Sequence, residues 1–353
     1  MSRKLLPSGP RERSFAVGLL LALLTLAAVA YAVLPSSGPD ADPDAEERGA
    51  LAALETTPRP EPVASAAPAP GTPEVTATPT AAPTAAPTAA PSAQLPGGVD
   101  TIFGDDRFLV AYYGTAGTGA LGVLGEDPPE QAFARLQQAA APFARPGSEV
   151  MPVFELIVTV ADAAPGKDGD YAHDISRAAV QTYIDAAHEH GALLLLDVQP
   201  GRTSFDEAAK RWAWALKDPY VGLALDPEWR MGNRGVPGQR IGSVGVAEVN
   251  RTSAWLRDLV RRHDLPQKLF VLHQFRTDMV RDIERVQPRR GLVMVQHVDG
   301  FGTPGQKLAT YRHVARPGQI RMGFKLFYDE DVRLMSAADV RRIRPTVRFV
   351  SFQ

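Results

Sequence analysis

Two carboxylates one residue apart, Asp226 and Glu228, close the short apolar run Gly222-Leu223-Ala224-Leu225. A run of this length, with Pro219 before it and a glycine-rich segment after it, reads as a buried strand. Side chains alternate across a strand, so the two acids leave one face with Cα atoms roughly 6 to 7 Å apart. Two such groups cannot both ionise cheaply. One is held protonated, and the pair can divide acid and base work. Asp197, at the end of an earlier apolar run, is the candidate for a third, flanking carboxylate.

Chemistry of this kind needs a scaffold that gathers strand ends. Apolar β-type runs occur at 107–113, 150–160, 192–197, 221–226, 268–273, 291–297, 322–327 and 347–352. Helical patterns separate them at 129–143, 175–190, 204–216, 246–263, 277–286, 304–314 and 336–343. This alternation calls for parallel strands joined by crossover helices, and residues 100–353 come close to the roughly 250 residues of an eight-stranded barrel. The expected fold is therefore an α/β TIM (β/α)8-type barrel, with a doubly wound open sheet as the alternative. In the third helix Phe205, Ala208, Ala209, Trp212 and Leu216 share a face, and Ser204 with Glu207 forms a capping-box pattern. The chain stops on its eighth strand, so residues 99–106, or a later segment of the linker, are expected to cover the side that a final helix would.

In a parallel barrel the carboxyl ends of the strands form one mouth. In chain order those ends carry Tyr112 and Tyr113, then Glu155, Asp197 with Gln199, Asp226 with Glu228, and His273 with Gln274. Gln296 with His297 and Asp299, Lys325 with Tyr328, and Ser351 complete the set. The catalytic candidates are Glu228, Asp226 and Asp197. The candidates for holding a substrate are Tyr113, Glu155, Gln199, Trp229, Gln274, Gln296, Lys325 and Tyr328. Lys325 lies inside an apolar strand, where burial demands a carboxylate partner, Asp197 or Asp226. Trp229 and Tyr328 offer the flat apolar surface that suits a sugar ring and equally suits ordinary packing. The segment 230–245, with Arg230, Arg234 and Arg240, is expected to be a mobile loop over the site, able to meet an anionic group.

A second constellation competes with the acid pair. His273, His297, Asp299 and Glu155 have the composition of a divalent-metal site for phosphodiester or amide hydrolysis, but the paired-histidine motif is missing. The leading reading needs no metal and no cofactor. Gly117-Thr118-Gly119-Ala120-Leu121-Gly122 matches the dinucleotide pattern G-x-G-x-x-G. It reads as a βα loop instead, because Glu126-Asp127-Pro128-Pro129 interrupts the helix that should start at the glycines.

Ahead of this domain the chain changes character twice. An uncharged apolar stretch begins at Phe15 and ends at Leu34, about the 20 residues that a bilayer-spanning helix needs. Basic residues precede it and acidic ones follow, which puts the amino end in the cytoplasm and the remainder outside the membrane. A signal peptide cleaved near Ala30-Tyr31-Ala32 is the competing reading. Residues 35–98 hold 14 of the 31 prolines and repeat Thr-Ala-Ala-Pro, the composition of a disordered tether. Residues 1–34 carry +3 and 35–99 carry −6, so a chain of −2 leaves +1 on the domain. That near-neutral balance gives no electrostatic footprint for nucleic acid. The cysteine count is zero, which excludes disulfides and thiolate ligands.

On the expected fourth strand, Leu225-Asp226-Pro227-Glu228-Trp229 resembles the Asp-x-Glu signature of glycoside-hydrolase barrels of the chitinase-like and muramidase-like style. Where the chitinase-like pattern has two further aspartates, this chain has Ala224 and Val221; where the muramidase-like pattern starts with an aspartate on strand one, it has Ala111-Tyr112-Tyr113. The resemblance implies Glu228 as general acid and Asp226 as its stabilising neighbour. The expected protein is membrane-anchored and extracytoplasmic, and acts on or binds a glycan or cell-envelope polymer. The alternatives are the metal-dependent hydrolase and a non-catalytic glycan-binding barrel.

Overall fold

Each apolar run ends in turn-forming residues, and each becomes a strand. The computed structural model describes residues 93–353 apart from Asp105 and Gln319. In chain order the strands are β1 (Phe108–Gly114), β2 (Val150–Ala161), β3 (Ala172–Asp174), β4 (Leu193–Val198), β5 (Val221–Leu225) and β6 (Val244–Gly245). They continue with β7 (Lys268–Gln274), β8 (Val280–Arg281), β9 (Leu292–Val298), β10 (Arg321–Leu326) and β11 (Val347–Phe352). β1, β2, β4, β5, β7, β9, β10 and β11 pair in parallel in that order, and β11 returns to β1, closing an eight-stranded barrel. The open-sheet alternative is excluded by the β1–β11 and β1–β2 pairings.

The crossover helices are α1 (Pro129–Ala140), α2 (Arg177–His190), α3 (Phe205–Arg211), α4 (Val246–Arg262), α5 (Pro304–Val314) and α6 (Ala337–Arg342). Capping boxes start three of them, Ser204 with Glu207, Thr303 with Gln306 and Ser336 with Asp339. The face expected on the third helix is buried throughout, although the helix stops at Arg211 and resumes as a 3-10 turn at Ala215–Lys217. The helix expected over 277–286 does not form. Val280–Arg281 pairs instead with Val244–Gly245, and Ile283–Arg285 makes a 3-10 turn. The competing partner is remote in sequence, so local periodicity could not reveal it.

Alternation along the strands produces two apolar shells. Outward residues pack under the helices, and inward residues such as Leu109, Val153, Leu195, Ala224, Val271, Val295 and Phe349 fill the barrel. Gly222 is an inward position where a Cβ would sit 2.7 Å from the Leu269 carbonyl oxygen, so any side chain there would have to displace backbone.

The inner shell continues into the segment before β1. Leu95, Ile102 and Phe103 pack against it and plug the amino-terminal end of the barrel, with Ile102 N donating to Gln267 Oε1 at 3.0 Å. Residues 99–106 therefore lie beneath the barrel instead of replacing a helix, and Leu95, which composition placed in the tether, belongs to the folded domain. The side without an eighth helix is closed by the 3-10 turn Ala141–Phe143 and by α6. Phe143 stacks on Phe108 at 5.2 Å and meets Phe352 edge-on, while the Arg341 guanidinium lies 3.8 Å from the Phe108 ring centroid. No helix among the described residues is long and apolar enough to cross a membrane. The expected anchor at 15–34, and residues 35–92 of the tether, lie outside the described residues.

Candidate active site

Above the inner apolar shell, the next inward position on each barrel strand, or just past its end on β5, is polar. These positions are Tyr113, Glu155, Asp197, Asp226, His273, His297, Lys325 and Ser351, and all are buried. Period-two alternation puts them there: each lies two residues beyond an inward Ala111, Val153, Leu195, Ala224, Val271, Val295, Gly323 or Phe349. Gly323 leaves room for its neighbour, since a Cβ there would lie 2.5 Å from His297 Cδ2.

Asp299 organises one side of this ring. It follows β9 and takes both histidines, with Oδ2 2.6 Å from His273 Nδ1 and Oδ1 2.7 Å from His297 Nδ1. A carboxylate only accepts, so both Nδ1 atoms carry hydrogen. His297 is left with Nε2 facing the Ser351 hydroxyl at 3.3 Å. Burial pulls the His297 pKa below its ordinary value against the opposing pull of Asp299. A neutral ring then accepts the Ser351 proton. Burial also disfavours charge on His273, but Asp299 on one side and Glu155 on the other outweigh it and raise its pKa well above the ordinary value. Asp299, despite its burial, is held well below the usual carboxylate range by His273 and Lys325.

Glu155 Oε1 lies 3.0 Å from His273 Nε2, off the axis of a hydrogen bond, and Asp197 Oδ1 lies 3.8 Å from the same nitrogen. The other Asp197 oxygen accepts from the Tyr113 hydroxyl at 2.9 Å, and that hydroxyl accepts from Gln199 Nε2 at 3.2 Å. Lys325 stands with Nζ 3.3 Å from the Tyr113 ring centroid and 3.8 Å from Asp299 Oδ2. Its partner is thus Asp299, in place of the expected Asp197 or Asp226.

The acid pair has a geometry that strand alternation does not describe. β5 ends at Leu225, and Pro227 turns the chain into the 3-10 turn Pro227–Trp229. Asp226 Oδ1 caps that turn by accepting from Glu228 N at 3.1 Å. Glu228 consequently rides on a turn, half-buried, while Asp226 is buried. Burial pushes the Asp226 carboxyl up to about 6, with His273 opposing and Asp299 assisting. Loss of water, followed by repulsion from Asp226 and Asp299, pushes Glu228 up to about 8. Asp197 is also raised to about 8, by burial against the pull of His273. Glu155 goes the other way: the neighbouring His273, with Lys325, overcomes its burial and holds it below the usual value.

The ring thus gathers Tyr113, Glu155, Asp197, Asp226 and Lys325, with Gln199 bound to Tyr113 and Glu228 on the adjoining turn. Trp229 is half-buried beside Glu228. Gln274 and Gln296 do not join them. They sit one residue beyond inward histidines or one before, so they face outward. Gln296 Nε2 donates to Gln274 Oε1 at 2.6 Å and to the Val314 carbonyl at 2.9 Å, tying the strands to α5. Tyr328 stacks on the outward Phe352 at 5.3 Å, with its hydroxyl 3.5 Å from that of Tyr112.

The segment 230–245 is pinned down. Arg230 Nε binds Glu248 at 2.9 Å and Met231 N binds the Gly201 carbonyl at 2.7 Å. At its far end, Gly242 N binds the Glu228 carbonyl at 2.6 Å. Arg230 is therefore engaged in the wall of the mouth and is not held ready for an anion. Sequence reasoning missed the buried pair Lys307 and Asp331, 2.8 Å apart. Lys307 Nζ also reaches the Gly300 and Lys325 carbonyls, joining the loops after β9 and β10. Lys307 lies on a helix, where inspection of strand ends does not look.

No protein-family model matches this chain, and no curated protein sequence matches it. Fold and site together define the class: a closed parallel α/β barrel with a buried, acid-rich polar ring at the carboxyl ends of its strands.

Proposed function

We propose that this chain is a membrane-tethered, extracytoplasmic glycoside-hydrolase-like barrel that acts on a glycan of the cell envelope. The observation that carries the reading is the pair Asp226 and Glu228 at the end of the fourth barrel strand, with their carboxyl pKa values raised to different extents. Glu228, near the rim, keeps its proton at neutral pH and donates it to the leaving glycosidic oxygen. Asp226, more acidic and deeper, is ionised and stabilises the positive charge that develops on the sugar. Asp197, bound to Tyr113, is the flanking carboxylate. The large exposed apolar side chains among the described residues are Tyr328, Val332 and Leu334, all on the loop after β10, and they give the rim an apolar surface for a polymer chain.

The test is to present the full chain with purified envelope glycans and follow the release of reducing ends, with Glu228→Gln as control. Turnover in the wild type and none in the variant is the expected result. Glycan binding that is equal in both proteins, with turnover in neither, would replace catalysis by recognition.

A further inference from the structure

Among the described residues, eight buried side-chain polar atoms have no hydrogen-bond partner, and four of them meet in one place: Glu155 Oε1 and Oε2, Asp197 Oδ1 and His273 Nε2. All three side chains are fully buried. Atoms in this condition call for a filler, either protons or an ion. His273 Nε2 is 3.0 Å from Glu155 Oε1 and 3.8 Å from Asp197 Oδ1, and by its geometry it makes a hydrogen bond with neither. A proton on Nε2 would leave Glu155 Oε2 and Asp197 Oδ1 without partners. A cation in front of Nε2 engages both acids.

We infer that Glu155, Asp197 and His273 form a seat for a first-row divalent cation such as Mn2+ or Zn2+. Bonds of about 2.0 to 2.2 Å place adjacent ligand atoms roughly 3.0 to 3.5 Å apart. The 3.0 Å contact already fits, and Asp197 Oδ1, at 3.8 Å, moves in when the ion binds. One imidazole with two carboxylates is a borderline donor set suited to such ions. The surroundings match those of a ligating histidine: Asp299 accepts from Nδ1 at 2.6 Å, which orients the ring and leaves Nε2 as the ligating atom, its proton exchanged for the ion. Tyr113 holds Asp197 Oδ2 and turns Oδ1 toward the gap. A neighbouring grouping, His273, His297 and Asp299, has its ligand atoms within 4.8 Å of one another. There, however, both Nδ1 atoms are satisfied by Asp299 directly, so that grouping needs no ion. This inference shares Asp197 with the glycosidic reading but does not rest on it, since it concerns a binding event that is read without turnover.

The experiment uses the full chain, stripped with a chelator and titrated with MnCl2, with free Mn2+ read by electron paramagnetic resonance. One equivalent is expected to bind and to be displaced by Zn2+. Binding should weaken roughly 100-fold or more in Asp197→Asn and stay unchanged in Glu228→Gln. Pulsed measurement on the wild type should show a nitrogen coupling from His273, lost in His273→Gln. Absence of saturable binding up to millimolar Mn2+, or bound Mn2+ without nitrogen coupling in the wild type, overturns the inference whether or not any variant folds. Glycan turnover enters neither outcome.

Discussion

The two ends of the barrel bury charge in opposite ways. At the closed end Lys268 Nζ donates to the Asp218 and Val221 carbonyls at 2.6 and 2.7 Å, and burial pushes its pKa down to about 7. Around it Leu95, Ile102, Phe103 and the inward leucines leave little polar surface. At the open end Glu155, Asp197, Asp226, two histidines and Lys325 are buried together with Asp299 and Glu228 half-buried beside them, and several of their atoms find no partner. A folded protein minimises such costs unless the strained groups serve a purpose. The closed end stabilises the barrel, while the open end draws on that stability to keep carboxylates in unfavourable protonation states.

If this division holds, substitutions at the two ends separate activity from stability. The largest effect belongs to Glu228→Gln, which removes the donated proton. Turnover should fall by about 10² to 10⁴, the worth of a general acid, with the denaturation midpoint unchanged or higher. Next is Leu195→Ala, in the inner apolar shell, expected to cost about 2 to 5 kcal/mol in urea unfolding with turnover per folded molecule preserved. A Leu195→Ala protein that folds as well as wild type but loses activity would erase the distinction between the ends. Smaller again is the pH response. Wild-type kcat/KM should rise as Asp226 ionises near 6 and fall as Glu228 loses its proton near 8, the two limbs belonging to the pair together. The residual activity of Glu228→Gln should lack the alkaline limb.

Much of this contrast is written locally. All eight barrel strands follow from apolar runs bounded by turn residues, and the polar ring follows from the inward residue two places beyond the apolar shell in each run. Alternation also separates His273 and His297, which point in, from Gln274 and Gln296, which point out, although strand ends taken as a group lump them together. Other features depend on contacts distant in sequence. Val280–Arg281 is drawn into a strand by Val244–Gly245, and the plug at the bottom of the barrel includes Leu95, which composition assigns to the tether. The turn that carries Glu228 was signalled by Pro227, which cannot continue a strand ladder. Asp299 was visible as a strand end, but its joint hold on two histidines appears only when β7 and β9 lie side by side.

The smallest effect tests the open end through its cost. Asp197 has its pKa raised to about 8 in the folded protein by burial, against an ordinary carboxyl near 4 in the unfolded chain. Below about pH 4 both states are protonated and the side chain exacts no penalty. As pH rises toward 8 the unfolded chain releases its proton while the folded one retains it, so the stability tied to Asp197 falls across that window. Asn keeps an oxygen for the Tyr113 hydroxyl and has no charge to bury. Asp197→Asn should therefore match wild type near pH 4 and exceed it by on the order of 1 kcal/mol at pH 8 in urea unfolding with a chelator present. Parallel stability curves for the two proteins across this range would mean that Asp197 ionises freely in the fold, and that the open end does not hold the cost assigned to it.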